Sequence, residues 1–127
     1  MASILLVDDD ELFRGAVCRV LRAAHHAVEE AVDGAHALRI IKAETPEILI
    51  TDIFMPNRDG IELIGAVRQA HPTVRIMAVS GRRHLGVVDL LELAARLGAH
   101  ATLAKPFNTE QLLEKLVELE CAEIGRG

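Results

Sequence analysis

The stretch ILITDIFMPNRDG, residues 48–60, decides how the rest of the chain is read. Ile48, Leu49 and Ile50 run through Thr51 straight into a carboxylate, Asp52. A second apolar patch follows, and then Pro56 and the turn-forming pair Asp59-Gly60. A short apolar run bounded by turn residues reads as a strand buried on both faces, as in a parallel sheet. What needs explaining is an acid mounted at the end of such a strand.

Segments of two kinds alternate outward from this point. Residues 3–7 (SILLV), 26–31 (HAVEEA), 47–51 (EILIT), 74–80 (VRIMAVS) and 101–104 (ATLA) read as strands, the second a weaker one suited to a sheet edge. Between them lie helical patterns. Residues 11–24 place Leu12, Phe13, Ala16, Val17, Val20 and Leu21 on one face, with Arg14, Arg19 and Arg22 elsewhere. Residues 35–44 form a short helix ended near Thr45-Pro46, and a third helix starts at Gly60 and stops before Pro72. The spacing predicts a fourth helix over 85–100 with Gly98 as its C-terminal stop. A fifth opens at Asn108 with Gln111 three residues on, a capping-box start, and carries Leu112, Leu113, Leu116, Val117 and Leu119 on its apolar side. Five strands alternating with five helices imply βαβ units, a parallel sheet and a three-layer α/β/α sandwich.

The composition excludes several classes. At 127 residues the chain suits one domain, half of its residues are hydrophobic, and with no Trp or Tyr and only three Phe its core must be aliphatic. A net charge of −5 and a single short basic cluster, Arg82-Arg83-His84, argue against direct nucleic-acid binding. Cys18 and Cys121 have no metal-ligand spacing and read as free thiols. The scattered histidines read mostly as surface residues. No apolar run approaches the roughly 20 residues of a membrane span. The start MASILLVDDD lacks a basic leader followed by an apolar core, so a cytoplasmic location is expected.

In an open parallel sheet, ligands bind beyond the carboxyl ends of the strands. The first strand delivers Asp8, Asp9 and Asp10 there, the third Asp52, the fourth Ser80, and the fifth Lys105 followed by Pro106. Each has a plain structural explanation: Asp10 as a helix cap, the other acids as solvated turn residues, Ser80-Gly81 as a loop start, Lys105-Pro106 as a turn. Together they point to chemistry. Carboxylates gathered at one edge repel unless a cation intervenes, and Mg2+ suits a few carboxylates plus water. Lys105 adds a positive charge and Ser80 a hydroxyl donor. Carboxylate, metal, ammonium and hydroxyl are the parts needed to receive a phosphoryl group, with Asp52 as the nucleophile that forms an acyl phosphate.

Four separated stretches, ILLVDDDELFR, TDIFMPNRDG, AVSG and LAKPF, resemble the marks of the receiver domain of two-component response regulators, of the chemotaxis-regulator type. The match runs from Ile4 to about Leu119, with residues 1–121 as the domain and 122–127 as a short tail. The resemblance implies a flavodoxin-like, doubly wound sheet of order 2-1-3-4-5. It also implies phosphotransfer to Asp52 from a sensor histidine kinase or phosphotransfer protein. By position Asp8 and Asp9 match the Mg2+-binding pair, and Phe54 matches the residue whose backbone carbonyl completes the metal site. Ser80 and Lys105 match the switch hydroxyl and its lysine, and the bond before Pro106 is expected to be cis.

Two departures stand out. The switch aromatic, three residues before the lysine, is Thr102 here. Phe54 and Arg82, two residues beyond Asp52 and Ser80, flank the path of the hydrolytic water in the family, and this pairing implies slow self-dephosphorylation. The implied partners are a kinase and either a downstream protein or an attached output domain, with a homodimer face on the fourth helix, fifth strand and fifth helix. Two other readings stand beside this one. A receiver-like interaction module that never phosphorylates is kept alive by Thr102. A small haloacid-dehalogenase-type phosphatase is opposed by Glu11-Leu12, which lacks the residues that usually follow its nucleophile.

Overall fold

Alternation along each strand sorts the apolar side chains onto two faces, and both faces are covered. The computed structural model describes residues 1–55, 60–82 and 84–121. Pro56, Asp59, Arg83 and the expected tail 122–127 lie outside the described residues. The elements are β1 (Ser3–Val7), α1 (Glu11–Ala23), β2 (Ala27–Ala31), α2 (Gly34–Ala43), β3 (Ile48–Asp52), α3 (Gly60–Ala70), β4 (Arg75–Ser80), β5 (His84–Leu85), β6 (Val88–Asp89), α4 (Leu90–Leu97), β7 (Ala101–Ala104) and α5 (Thr109–Cys121). Five strands pair in parallel in the order β2-β1-β3-β4-β7, while β5 and β6 form a separate antiparallel hairpin. The expected order is therefore met, with the hairpin interposed before the last strand.

On one face Leu5, Val7, Leu49, Ile76 and Ala78 pack against Ala37 and Ile41 of α2, Leu63, Ile64 and Val67 of α3, and Leu91 and Ala94 of α4. On the other, Ile4, Leu6, Ile48, Ile50, Met77, Val79 and Leu103 meet Val17, Cys18 and Leu21 of α1 and Leu112, Leu116 and Leu119 of α5. This period of two is what a strand buried between two helical layers requires. β2 is one of the two edge strands, as its weaker pattern predicted.

The fourth helix differs from expectation: it starts at Leu90, not at residue 85. Gly86 adopts φ 62° and turns the chain so that His84 pairs with Asp89 and Leu85 with Val88. Glycine and β-branched valine are weak helix formers. The Asp89 carboxylate then caps the helix by accepting from the N–H groups of Leu91 and Glu92, both at 3.1 Å. Gly98 ends α4 at φ 125°, as expected. The capping box of α5 is also present: Asn108 and Gln111 each accept the other's backbone N–H through their side chains.

Three apolar assignments fail: Leu12 is 87 % and Val117 62 % exposed, and Ala16 also faces solvent. Leu12 lies in the first turn of α1, off the stripe that Val17, Cys18 and Leu21 bury. Three histidines are also less superficial than expected. The Nδ1 atoms of His26, His36 and His100 accept the backbone N–H groups of Ala2, Val32 and Ile76. Burial, with Arg68 and Arg75 nearby, holds the His100 pKa below the usual imidazole value. Cys18 is buried and Cys121 exposed, and both are free. Among the described residues no helix is long and apolar enough to cross a membrane.

Gly60 opens α3 hard against the end of β3. Its N–H donates to the carbonyl of Ile53 at 2.9 Å. A Cβ there would overlap the carbonyl oxygen of Asp52 and lie 2.7 Å from the Cα of Ile53. These are backbone atoms and cannot rotate away. Gly60→Ala is therefore expected to destabilise the fold by about 1–3 kcal/mol. Gly65→Ala, in the same helix with no atom within 4 Å of the added methyl, should gain up to about 1 kcal/mol. Urea unfolding of the two variants checks the contrast.

Candidate functional site

The strand order brings the carboxyl ends of β1, β3, β4 and β7 side by side, and the side chains expected there converge. Asp8 is 2 % and Asp52 8 % exposed, while Asp9 faces solvent. One carboxylate oxygen from each of the three lies within 4.8 Å of the others. Asp10 does not join them; it caps α1 by accepting the N–H of Phe13 at 3.1 Å.

Each buried acid is fixed by named partners. Asp8 Oδ1 accepts the backbone N–H of Asp10 at 2.9 Å, and Asp8 Oδ2 accepts from Lys105 Nζ at 2.9 Å. Asp52 Oδ1 accepts the N–H of Ile53 at 2.8 Å, which leaves Oδ2 facing Lys105 Nζ at 3.6 Å. The Lys105 ammonium in turn sits 3.9 Å from the centroid of the Phe13 ring, and Phe13 meets Phe107 edge to face at 5.5 Å. The Lys105 N–H donates to the carbonyl of Ser80 at 2.8 Å, and the Lys105-Pro106 bond is cis.

The electrostatic result is a strained carboxylate. Burial pushes the Asp52 pKa from an ordinary 3.8 up to about 6; Lys105 pulls it down, and Asp8 and Asp9 raise it further. One lysine does not balance three clustered acids. Hard oxygen donors in excess of nearby positive charge suit a small divalent cation, so the donor set fits Mg2+.

Ser80 is 2 % exposed, but its hydroxyl is turned into its own loop. Oγ donates to the Arg82 carbonyl at 2.6 Å and accepts the Arg82 N–H at 3.1 Å. The Arg82 guanidinium lies 5.3 Å from the centroid of the Phe54 ring, and its Nε donates to the carbonyl of His84. Thr102 sits half-buried on β7 beside Ala78 of β4. Two features escaped the sequence reading. The Phe13–Phe107 pair beside Lys105 joins α1 to the segment before α5, both on the same face of the sheet. Arg14, read as part of a polar helix face, is turned inward and donates from Nη1 to the carbonyl of Asp8 at 2.7 Å.

With this geometry in place, comparison with known proteins is informative. Residues 4–117 match the response regulator receiver domain. The chain is 35 % identical over 115 residues to the response regulator MprA of Mycobacterium ulcerans, covering 89 % of this chain and 47 % of that protein. It is 27 % identical to the chemotaxis protein CheY of Halobacterium salinarum, covering 91 % and 94 %. Among solved structures, the chemotaxis protein CheY4 of Vibrio cholerae superposes with a TM-score of 0.84 at 31 % identity, covering 94 % of this chain and 98 % of that one. The chain spans about half the length, or less, of the first curated relatives it matches. A match over residues 4–117, nearly the whole described fold, assigns the chain to the response regulator receiver domain family.

Proposed function

We propose that the chain accepts a phosphoryl group on Asp52 from the phosphohistidine of a sensor histidine kinase or phosphotransfer protein, in a Mg2+-dependent reaction, and so switches a protein-interaction face. The observation that carries this reading is the setting of Asp52: buried, its pKa pushed up to about 6, among two further acids and one lysine. Such a carboxylate is ionised near neutral pH yet poorly solvated, which suits a nucleophile.

In the transfer, Asp52 Oδ2 is the attacking atom, because Oδ1 is held by the Ile53 N–H. The new bond joins Oδ2 to phosphorus. The phosphorus–nitrogen bond of the donor breaks, and the departing imidazole nitrogen keeps the electron pair and takes a proton from solvent. Lys105 lies between Asp8 and Asp52 and neutralises the charge that builds there. Mg2+ held by Asp8, Asp9, Asp52 and the backbone carbonyl of Phe54 supplies further charge neutralisation when bound.

The switch follows from Ser80. Its hydroxyl is bonded to the Arg82 backbone, so engaging a phosphoryl oxygen means giving up those bonds. That exchange moves the segment leading into β5, β6 and α4, and it biases the loop because the contacts differ between the two states. With Thr102 in place of an aromatic, this segment carries the signal to a partner or dimer face on α4, β7 and α5. Phe54 and Arg82, whose guanidinium lies 5.3 Å from the Phe54 ring centroid, shield the acyl phosphate from water and slow its loss. The domain supports only its own phosphorylation and dephosphorylation, acts in the cytoplasm, and passes its signal to a downstream protein or an attached output domain.

Three outcomes are expected. Acetyl phosphate with MgCl2 should add one phosphoryl group by intact mass, and none without Mg2+ or in Asp52→Ala; a folded protein that takes no label from any donor would overturn the reading. Phe54→Ala and Arg82→Ala should each shorten the lifetime of the adduct, followed by the same measurement over time. The third outcome concerns stability. In the fold Asp52 keeps its proton to about pH 6, against 3.8 ordinarily. Its contribution is therefore present in full below the unfolded value and lost as pH rises through the folded one. The ionised group then costs the cation-free protein on the order of 3 kcal/mol. The melting-temperature gain of Asp52→Asn over wild type should be small at pH 4, grow up to about pH 6, and shrink when MgCl2 is added.

A further inference from the structure

Arg14 lies on α1 with only 12 % of its side chain exposed, unlike an arginine on a solvated helix face. Its Nη1 donates to the Asp8 carbonyl at 2.7 Å, and its Nε donates to Glu30 Oε1 on β2 at 3.0 Å. From the other side, the Asp8 N–H donates to the Ala31 carbonyl of β2 at 3.2 Å. The backbone of Asp8 is thus held at both ends, and its carbonyl belongs to the peptide that joins Asp8 to Asp9. Rotation of that peptide would swing the exposed Asp9 away from the buried Asp8.

We propose that Arg14 is a positioning residue for the cation site: it clamps the Asp8-Asp9 peptide and so sets the separation of the two carboxylates. This rests on the reading that Asp8, Asp9 and Asp52 hold Mg2+. A guanidinium suits the task because its rigid fork bonds a carbonyl and a carboxylate at once, which a lysine ammonium does not reproduce. Glu30 anchors the fork and offsets its charge. Groups that orient metal ligands without touching the metal commonly matter about 10–100-fold in affinity.

The sign of the effect separates positioning from charge. Removing a cation near an acidic cluster should tighten Mg2+ binding if only long-range attraction counts. Loss of the clamp should weaken it. The test is calorimetric titration of MgCl2 into wild type, Arg14→Met, Arg14→Lys and Arg22→Met, with the stability of each measured by urea unfolding. Arg22 is the control, since it shares the helix and approaches Glu30 at 3.9 Å but bonds the Val28 carbonyl instead of Asp8.

Arg14→Met is expected to weaken Mg2+ binding about tenfold or more, with Arg14→Lys between it and wild type and Arg22→Met at the wild-type value. Saturating MgCl2 should restore the labelling rate of Arg14→Met with acetyl phosphate. Binding by Arg14→Met that is equal to or tighter than wild type overturns the clamp while leaving the Mg2+ site intact. If Arg14→Met does not fold, Arg14→Lys decides, and wild-type affinity in that variant overturns the proposal. A folded wild type that binds no Mg2+ sinks the reading of the site itself, and the clamp with it.

Discussion

The ion pair between Lys105 and Asp8, 2.9 Å long and formed across 97 residues of sequence, closes the functional edge of the sheet. Lys105 follows β7, and Asp8 follows β1, with β3 and β4 lying between those strands in the sheet. The contact exists only when all four strands are in register. The same ammonium reaches Asp52 at 3.6 Å and rests on the Phe13 ring, so one cation serves two acids and an aromatic face. A buried carboxylate without such a partner would be strongly destabilising.

Among the described residues, Lys105 is the cation paired with these carboxylates, and the three acids outnumber it. Burial and the neighbouring acids leave Asp52 with a pKa near 6 despite the lysine. The fold therefore carries an unrelieved repulsion at this edge, next to strands whose apolar residues are almost wholly buried. On the function proposed above, a divalent cation would relieve that repulsion and a phosphoryl group would be taken up by the nucleophile it creates. The backbone around the site is rigid where the acids attach. Asp8 is held by β2 and Arg14, and Asp52 is hemmed in by Gly60. It is adjustable at Ser80, whose hydroxyl bonds the Arg82 backbone of its own loop.

Most of this was legible along the chain, and the exceptions share a cause. The strand ends bearing Asp8, Asp52, Ser80 and Lys105 were readable because apolar runs and their boundaries are local. The caps at Asn108 and Gly98 were readable for the same reason. Residues 85–89 misled because their apolar content fits a helix face, while Gly86 and the capping geometry of Asp89 favour a hairpin. Leu12 and Val117 fit the helical period but have no opposing surface to pack against. Arg14 reads as an ordinary surface charge because nothing in its neighbourhood reveals that Asp8 offers a carbonyl beneath it.

By itself the sequence determined the alternation of strands and helices, the three-layer α/β/α architecture, and which chemical groups stand at the strand ends. These follow from periodicity, turn residues and caps, which act over a few residues. The tertiary structure alone decided which of those groups meet and what state they are in: the sharing of Lys105 between two acids, the raised pKa of Asp52, the withdrawal of Ser80 into its loop and the inward turn of Arg14. Burial and electrostatic interaction depend on distance through space, and the residues involved come from opposite ends of the chain.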